Sequence, residues 1–261
     1  MNKSILFFDI DGTILSEKTK QISESTKNAI RKARQNGHLT FINTGRTIEE
    51  IDSYILSLDF DGYVCGCGTY IEYDKKVLLS NELSQELMYS IIKDLREYRI
   101  EACLEGVNTI YFDSNSTNQK IKSVRDHMKE LHFQLSDWDD SSINFAKFTI
   151  WLRHDSNYKA FYQKYKGSFD FIDRGQNFYE IVPTGFSKGT GIQFLLNHFN
   201  MNLDDAYALG DSANDIPMLS YAKNSIAMGN SDSSILPHVS FITKDVDDDG
   251  IEYALKHYCL I

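Results

Sequence analysis

Ile5-Leu6-Phe7-Phe8-Asp9-Ile10-Asp11-Gly12-Thr13-Ile14 runs from an unbroken apolar stretch straight into two carboxylates and a glycine. A short continuous apolar run of this kind marks a central strand of a parallel sheet, and Gly12 ends it. The acids therefore fall where the strand gives way to a loop, and ligand sites in open α/β sheets lie at such carboxyl ends. Asp9 suits a metal ligand and nucleophile. Asp11 comes one residue beyond a neighbour that must point away, so it returns to the same side. Two carboxylates on one side call for a cation. Taken alone, Asp-x-Asp-Gly is as readily a turn in which aspartate and glycine supply loop chemistry; three further segments decide against that.

Leu39-Thr40-Phe41-Ile42-Asn43-Thr44-Gly45-Arg46 is a second apolar strand, ending in a hydroxyl, a glycine and a cation before a helical pattern over Thr47 to Leu58. Such a corner suits an oxyanion: Thr44 donates its hydroxyl, Gly45 lets backbone approach, and the N–H groups at the helix start point outward. By itself Thr-Gly-Arg is simply a capped helix start. Lys188-Gly189 opens a helix over Gly191 to Phe199, where an ammonium can neutralise phosphate and a negative nucleophile together; a solvated lysine is the plain alternative. The last segment, Ala206-Tyr207-Ala208-Leu209-Gly210-Asp211-Ser212-Ala213-Asn214-Asp215, is again a strand followed by acids and then a helix with Pro217 in its first turn,.

In this order, each at a strand end, the segments resemble the haloacid dehalogenase superfamily of phosphotransferases, and within it the Cof-like sugar-phosphate phosphatases with a type IIB cap. The resemblance spans the chain. It implies that Asp9 is the nucleophile, that Asp11 is the general acid/base and binds Mg²⁺ through its carbonyl, and that Asp211 is a metal ligand. It further implies that Ile10, Thr44, Gly45, Lys188 and Asn214 contact the phosphoryl group, with Asp215 orienting Lys188 or the water around the metal. One departure stands out: where such proteins usually carry Asn-Gly after the third core strand, this chain reads Cys65-Gly66-Cys67-Gly68, so Cys67 replaces an amide expected near the leaving group.

The same parts make chemical sense without the family. A phosphate monoester dianion repels a carboxylate, so Mg²⁺ between Asp9 and Asp211 and the ammonium of Lys188 must absorb charge. Attack by Asp9 gives an aspartyl-phosphate. Asp11 protonates the departing alkoxide and then takes a proton from water. Hard oxygen ligands favour Mg²⁺ over zinc. A phosphomutase built on the same core, or a non-catalytic phospholigand-binding regulator, is the alternative; the regulator would be expected to lack one of Asp9, Asp11, Lys188 or Asp211.

Composition narrows the rest. With 261 residues, 42% hydrophobic and 13% aromatic, the chain can fill one large or two modest cores,. The 37 acidic against 27 basic residues give a net charge of −10, which disfavours nucleic acid and anionic membrane as partners. No apolar run approaches the ~20 residues of a membrane span, and Ile5 to Phe8 is too short and too soon acidic for a signal peptide. The expectation is a cytoplasmic enzyme acting on a small phosphate ester, as a monomer or weak homo-oligomer. Cys65, Cys67, Cys103 and Cys259 lack disulfide or zinc spacing,; they read as reduced and mostly buried, with Cys65 and Cys67 on one strand face.

Spacing sets the organisation. Asp11 to Thr44 accommodates one helix (Ala29, Ile30, Ala33, closed by Gly37) and one strand. Far more residues separate Thr44 from Lys188 than a helix and two strands use, so an insertion is expected there. The expectation is a doubly wound parallel α/β core over 1–81 and 183–261, and an inserted α+β cap over 82–182 with helices on one sheet face. Helices are predicted at Leu83 to Tyr98, Asn118 to Leu131 and Asp155 to Tyr165. Strands are predicted at Thr109 to Phe112, Ala146 to Leu152, Phe169 to Ile172 and Phe178 to Val182. A hairpin turns at Asp74-Lys75 before the insertion. After it come strands around Leu209, Ile226 to Met228 and Phe241 to Thr243, and a closing helix from Ile251 to His257. Arg46, Arg174 and Glu180 are the candidates for leaving-group contact.

Overall fold

The elements of the computed structural model, which describes residues 3–261, run in chain order as β1 (Ile5–Phe8), α1 (Glu24–Gln35), β2 (Leu39–Asn43), α2 (Ser53–Leu56), β3 (Gly62–Cys65), β4 (Tyr70–Tyr73), β5 (Lys76–Ser80), α3 (Gln85–Glu97), β6 (Ile100–Glu105), β7 (Ile110–Phe112), α4 (Gln119–Glu130) and β8 (Leu135–Asp137). They continue as β9 (Lys147–Leu152), α5 (Tyr158–Tyr165), β10 (Phe169–Asp173), β11 (Phe178–Pro183), α6 (Lys188–Phe199), β12 (Ala206–Gly210), α7 (Ile216–Tyr221), β13 (Asn224–Ala227), β14 (Phe241–Ile242) and α8 (Gly250–His257). Contacts divide the chain into two units: one runs to Gly45, resumes over Ile51–Leu79 and again over Phe186–Ile261; the other is Arg46–Glu50 with Ser80–Gly185.

In the first unit the strand order is β14-β13-β12-β1-β2-β3-β4-β5. β14 through β3 pair in parallel, and β4 returns antiparallel to β3. β1 is buried at every position and has β12 on one side and β2 on the other, so the winding direction reverses beside it and a crevice opens past its carboxyl end. Alternation sends Ile5, Phe7, Phe41, Val64 and Ala208 to one face, under Ile192, Leu195 and Leu196 of α6 and Met218 and Leu219 of α7,. α6 can approach closely because Gly191 has no Cβ; one added there would run into the Val64 side chain. α1, capped by Ser23 and burying Thr26, Ala29, Ile30 and Ala33, packs with α8. The Asp74-Lys75 turn has both residues at positive φ, 48° and 62°, as a two-residue hairpin requires.

The helix expected over Thr47 to Leu58 is broken. Residues Ile48–Glu50 make a single 3₁₀ turn and α2 starts afresh at Ser53. The cause is local: the Glu50 carboxylate accepts from both the backbone N–H and the hydroxyl of Thr47, at 2.6 and 3.0 Å, closing the turn, and Asp52 is extended before α2. Arg46–Glu50 also groups with the second unit, whereas sequence continuity had put it in the core.

The second unit holds a six-stranded sheet ordered β10-β11-β9-β6-β7-β8, antiparallel except for β7 with β8. β6, buried at all six positions, had no counterpart in the sequence reading. Ile-Glu-Ala-Cys-Leu-Glu follows directly on a helix, and its two glutamates look like helix surface. Ile100, Ala102 and Leu104 face a core with Met88, Ile91, Ile92 and Leu95 of α3 and Phe161 and Tyr165 of α5. Cys103 faces the other way, toward Ile121, Val124 and Met128 of α4. Helices therefore cover both faces, contrary to the one-sided layer expected, because α4 also carries an apolar stripe. Among the described residues no helix is long and apolar enough to cross a membrane.

Phe148 is fully buried and meets the rings of Phe145, Phe161 and Phe169 edge-on. Phe148→Ala should cost about 3–5 kcal/mol in chemical unfolding of this unit; a change under about 1 kcal/mol would mean the core refills the space.

Candidate active site

β1 delivers Asp9 to the crevice with its backbone N–H still donating to Leu209 O at 3.1 Å, so the residue continues the sheet and is not a free loop. The chain then turns tightly: the N–H groups of Thr13, Ile14 and Leu15 all donate to Ile10 O. Gly12 makes the turn possible with φ +74°, and a Cβ there would lie 2.6 Å from Asp211 Cγ. Thr13, buried behind it, donates its hydroxyl to Asp211 Oδ1 at 3.0 Å.

Lys188 is the first residue of α6, whose start is fixed by a capping box between Ser187 and Thr190. Its ammonium, only 1% exposed, donates to Asp9 Oδ1 and to Asp215 Oδ1, each at 2.6 Å. The second oxygen of Asp215 accepts the backbone N–H groups of Asp211 and Ser212 at 2.9 and 3.1 Å. Both Asp215 oxygens are thus engaged, and the residue works as an internal brace that ties the β12 loop to Lys188. Asn230 adds another tie, its amide donating to Gly12 O at 2.8 Å while its carbonyl accepts from the Val246 N–H at 2.9 Å.

Carboxylate oxygens of Asp9, Asp211 and Asp215 lie within 4.8 Å of one another. Burial above all, then the charge of Asp215, pushes Asp9 from 3.8 up to about 7 against the opposing pull of Lys188. Burial followed by the charges of Asp9 and Asp215 raises Asp211 to about 8. Lys188 is held above the ordinary lysine range: burial works against its charge, but Asp215 and Asp9 outweigh it. One ammonium does not balance these acids, and hard oxygen donors with an unmet negative charge fit a divalent cation. Asp11, half-buried, has its carboxylate outside this trio.

The other expected residues are placed as follows. Thr44 is buried just past β2, its N–H donating to Val64 O and its carbonyl accepting from the Cys67 N–H. Asn214 is half-buried, its carbonyl taking the Ser212 hydroxyl at 2.5 Å. Cys67 is not on β3 with Cys65: it sits in a tight turn at φ 55°, ψ 39°, so the face-sharing expected from alternation fails. Cys65, Cys67 and Cys103 are buried and unbridged, and Cys259 is exposed.

Arg46, Arg174 and Glu180 belong to the second unit. Arg46 donates to Glu50 O at 3.0 Å. Arg174 pairs with Glu180, and Lys147 joins Glu180 (3.1 Å) to Glu105. Lys147, Glu105 and Glu180 are all buried. Burial pushes Glu105 up to about 7, with Lys147 opposing and Glu50 adding to the rise. Sequence reasoning missed Lys147 and Glu105; the available signal was a lysine between Ala146 and Phe148 in an expected strand.

A family model described as haloacid dehalogenase-like hydrolase matches residues 6–255. The chain is 27% identical over 270 residues to YkrA of Bacillus subtilis (strain 168), a protein named provisionally as a phosphatase, with both chains covered completely. It is 26% identical over 260 residues to the HMP-PP phosphatase of Yersinia pseudotuberculosis, covering 96% of this chain and 93% of that one. Among solved structures, a hypothetical protein from Geobacillus kaustophilus HTA426 matches with TM-score 0.87 and 28% identity over the whole of both chains. This chain belongs to the haloacid dehalogenase-like hydrolase family: it is an enzyme whose curated relatives carry phosphatase names.

The raised carboxyls set a pH dependence. Values of about 7 and 8 against an ordinary 3.8 mean that the fold binds these protons more tightly than the unfolded chain. The resulting stabilisation is complete below the ordinary value and is lost as pH rises through the folded ones. A divalent cation requires the deprotonated forms. Its stabilising shift of the melting midpoint should therefore be larger near about pH 9 than near about pH 6. An equal or larger shift at the lower pH would contradict the assignment.

Proposed function

We propose that the protein is a Mg²⁺-dependent phosphatase for small phosphate monoesters, sugar phosphates first among them, working in the cytoplasm as a monomer or weak homo-oligomer through an aspartyl-phosphate on Asp9. The observation that carries this reading is the buried ammonium of Lys188 held at 2.6 Å from both Asp9 and Asp215. Lys188 orients Asp9 through Oδ1 and brings to the same spot the positive charge that an incoming dianion needs,. The names of the curated relatives support phosphate esters as the substrate class.

Asp9 attacks phosphorus with a carboxylate oxygen, and the bond from phosphorus to the ester oxygen breaks. Asp11 gives its proton to that departing oxygen, then takes one from the water that splits the acyl phosphate, restoring both carboxyls. Lys188 stabilises the equatorial oxygens, and Thr44, with the backbone at Ile10 and Gly45 and the amide of Asn214, holds the phosphoryl group in register. Mg²⁺, held by Asp9, Asp211 and the Asp11 carbonyl, would supply positive charge that lets dianion and carboxylate meet. Asp215 stays on Lys188 and keeps it aimed. Leaving-group selection is assigned to Arg46, Arg174 and Glu180. A few such contacts support discrimination of only about 10–200-fold among sugars.

Asp9→Asn should abolish phosphate release while leaving the fold intact, because an amide keeps the shape but cannot attack phosphorus. Ca²⁺ should not replace Mg²⁺, since the larger ion draws extra oxygens and engages the nucleophile. Near-normal turnover by Asp9→Asn, full activity in chelator, or phosphoryl transfer to a second sugar hydroxyl without free phosphate would each overturn the reading.

A further inference from the structure

We infer that Asn43 is a positioning residue for Lys188, a role that rests on the phosphatase reading of the site. Asn43 is the last residue of β2 and fully buried. Its side-chain amide donates to the backbone carbonyl of Lys188 at 2.9 Å, across 145 residues of sequence. That carbonyl lies in the first turn of α6, so the bond ties the end of a central strand to the residue carrying the active-site ammonium. The strand end cannot drift: its neighbour Thr44 is held by Val64 O, and Gly191 presses α6 onto Val64. The tie thus sets the height of the Lys188 stem above the sheet, while Asp9 and Asp215 set only where its tip rests.

The other end of the same side chain marks the choice as functional. Asn43 Oδ1 is buried and finds no hydrogen-bond donor among the described residues. A buried acceptor left without a donor is unfavourable by more than one ordinary hydrogen bond returns. For stability alone, an apolar side chain of similar size would serve better. The one bond that this amide makes ends on Lys188.

The test is Asn43→Leu, with Asn43→Ala beside it in case the larger side chain is not accommodated. Turnover of p-nitrophenyl phosphate with Mg²⁺ and the thermal midpoint are measured, and the Lys188 ammonium is followed by NMR in lysine-labelled protein without substrate. Expected is a fall in kcat of about 10- to 100-fold, KM essentially unchanged, a midpoint equal to or above wild type, and a shifted or exchange-broadened Lys188 ammonium signal. Unchanged kcat with an unchanged Lys188 signal would overturn the proposal, as would failure of both variants to fold, which would make the amide purely structural. If the wild type releases no p-nitrophenol, the phosphatase reading fails on its own, and the substrate-free NMR comparison still decides whether Asn43 holds Lys188.

Discussion

The ammonium of Lys188, almost wholly removed from water and shared between Asp9 and Asp215 at 2.6 Å each, is the interaction on which the site depends. Removing the ammonium would leave buried carboxylates uncompensated, at a cost of about 3–5 kcal/mol. The surrounding structure is arranged to keep the pair together. β1 and β12 are neighbours in the sheet and bring Asp9 beside the loop of Asp211 and Asp215. The Ser187 cap fixes the start of α6, and Gly12 lets the acid turn pass against Asp211. A single cation still leaves the carboxyls of Asp9 and Asp211 far above their ordinary range, and this residual imbalance is the physical ground for a bound divalent ion.

Much of this was legible in the sequence because the chemistry sits where strand patterns end. Apolar runs finishing in Asp9, Thr44 and Asp211 marked three strands of the parallel sheet and the residues at its edge, and Pro217 marked the first turn of α7. What escaped depends on tertiary partners. β6 has no strand signature of its own, since Glu101 and Glu105 are buried through pairing with Arg153, Ser116 and Lys147. The break at Glu50 comes from one side chain capturing Thr47. Asn43 read as one more strand residue until its amide was seen to reach a carbonyl far along the chain.

The second unit carries a different electrostatic logic. Its charged row, Glu105, Lys147, Glu180 and Arg174, is internally paired, and buried pairs of this kind stabilise little compared with apolar packing. Such groups are retained where they fix geometry.

The covalent step is tested most directly by adding borohydride during turnover of a hexose 6-phosphate and mapping the protein by mass spectrometry. An acyl phosphate on Asp9 would be reduced, leaving homoserine at that position alone, and omission of substrate or of Mg²⁺ would leave aspartate. Turnover that continues with no reduction at Asp9, or with reduction at another carboxylate, would contradict the role that the Lys188 clamp gives it.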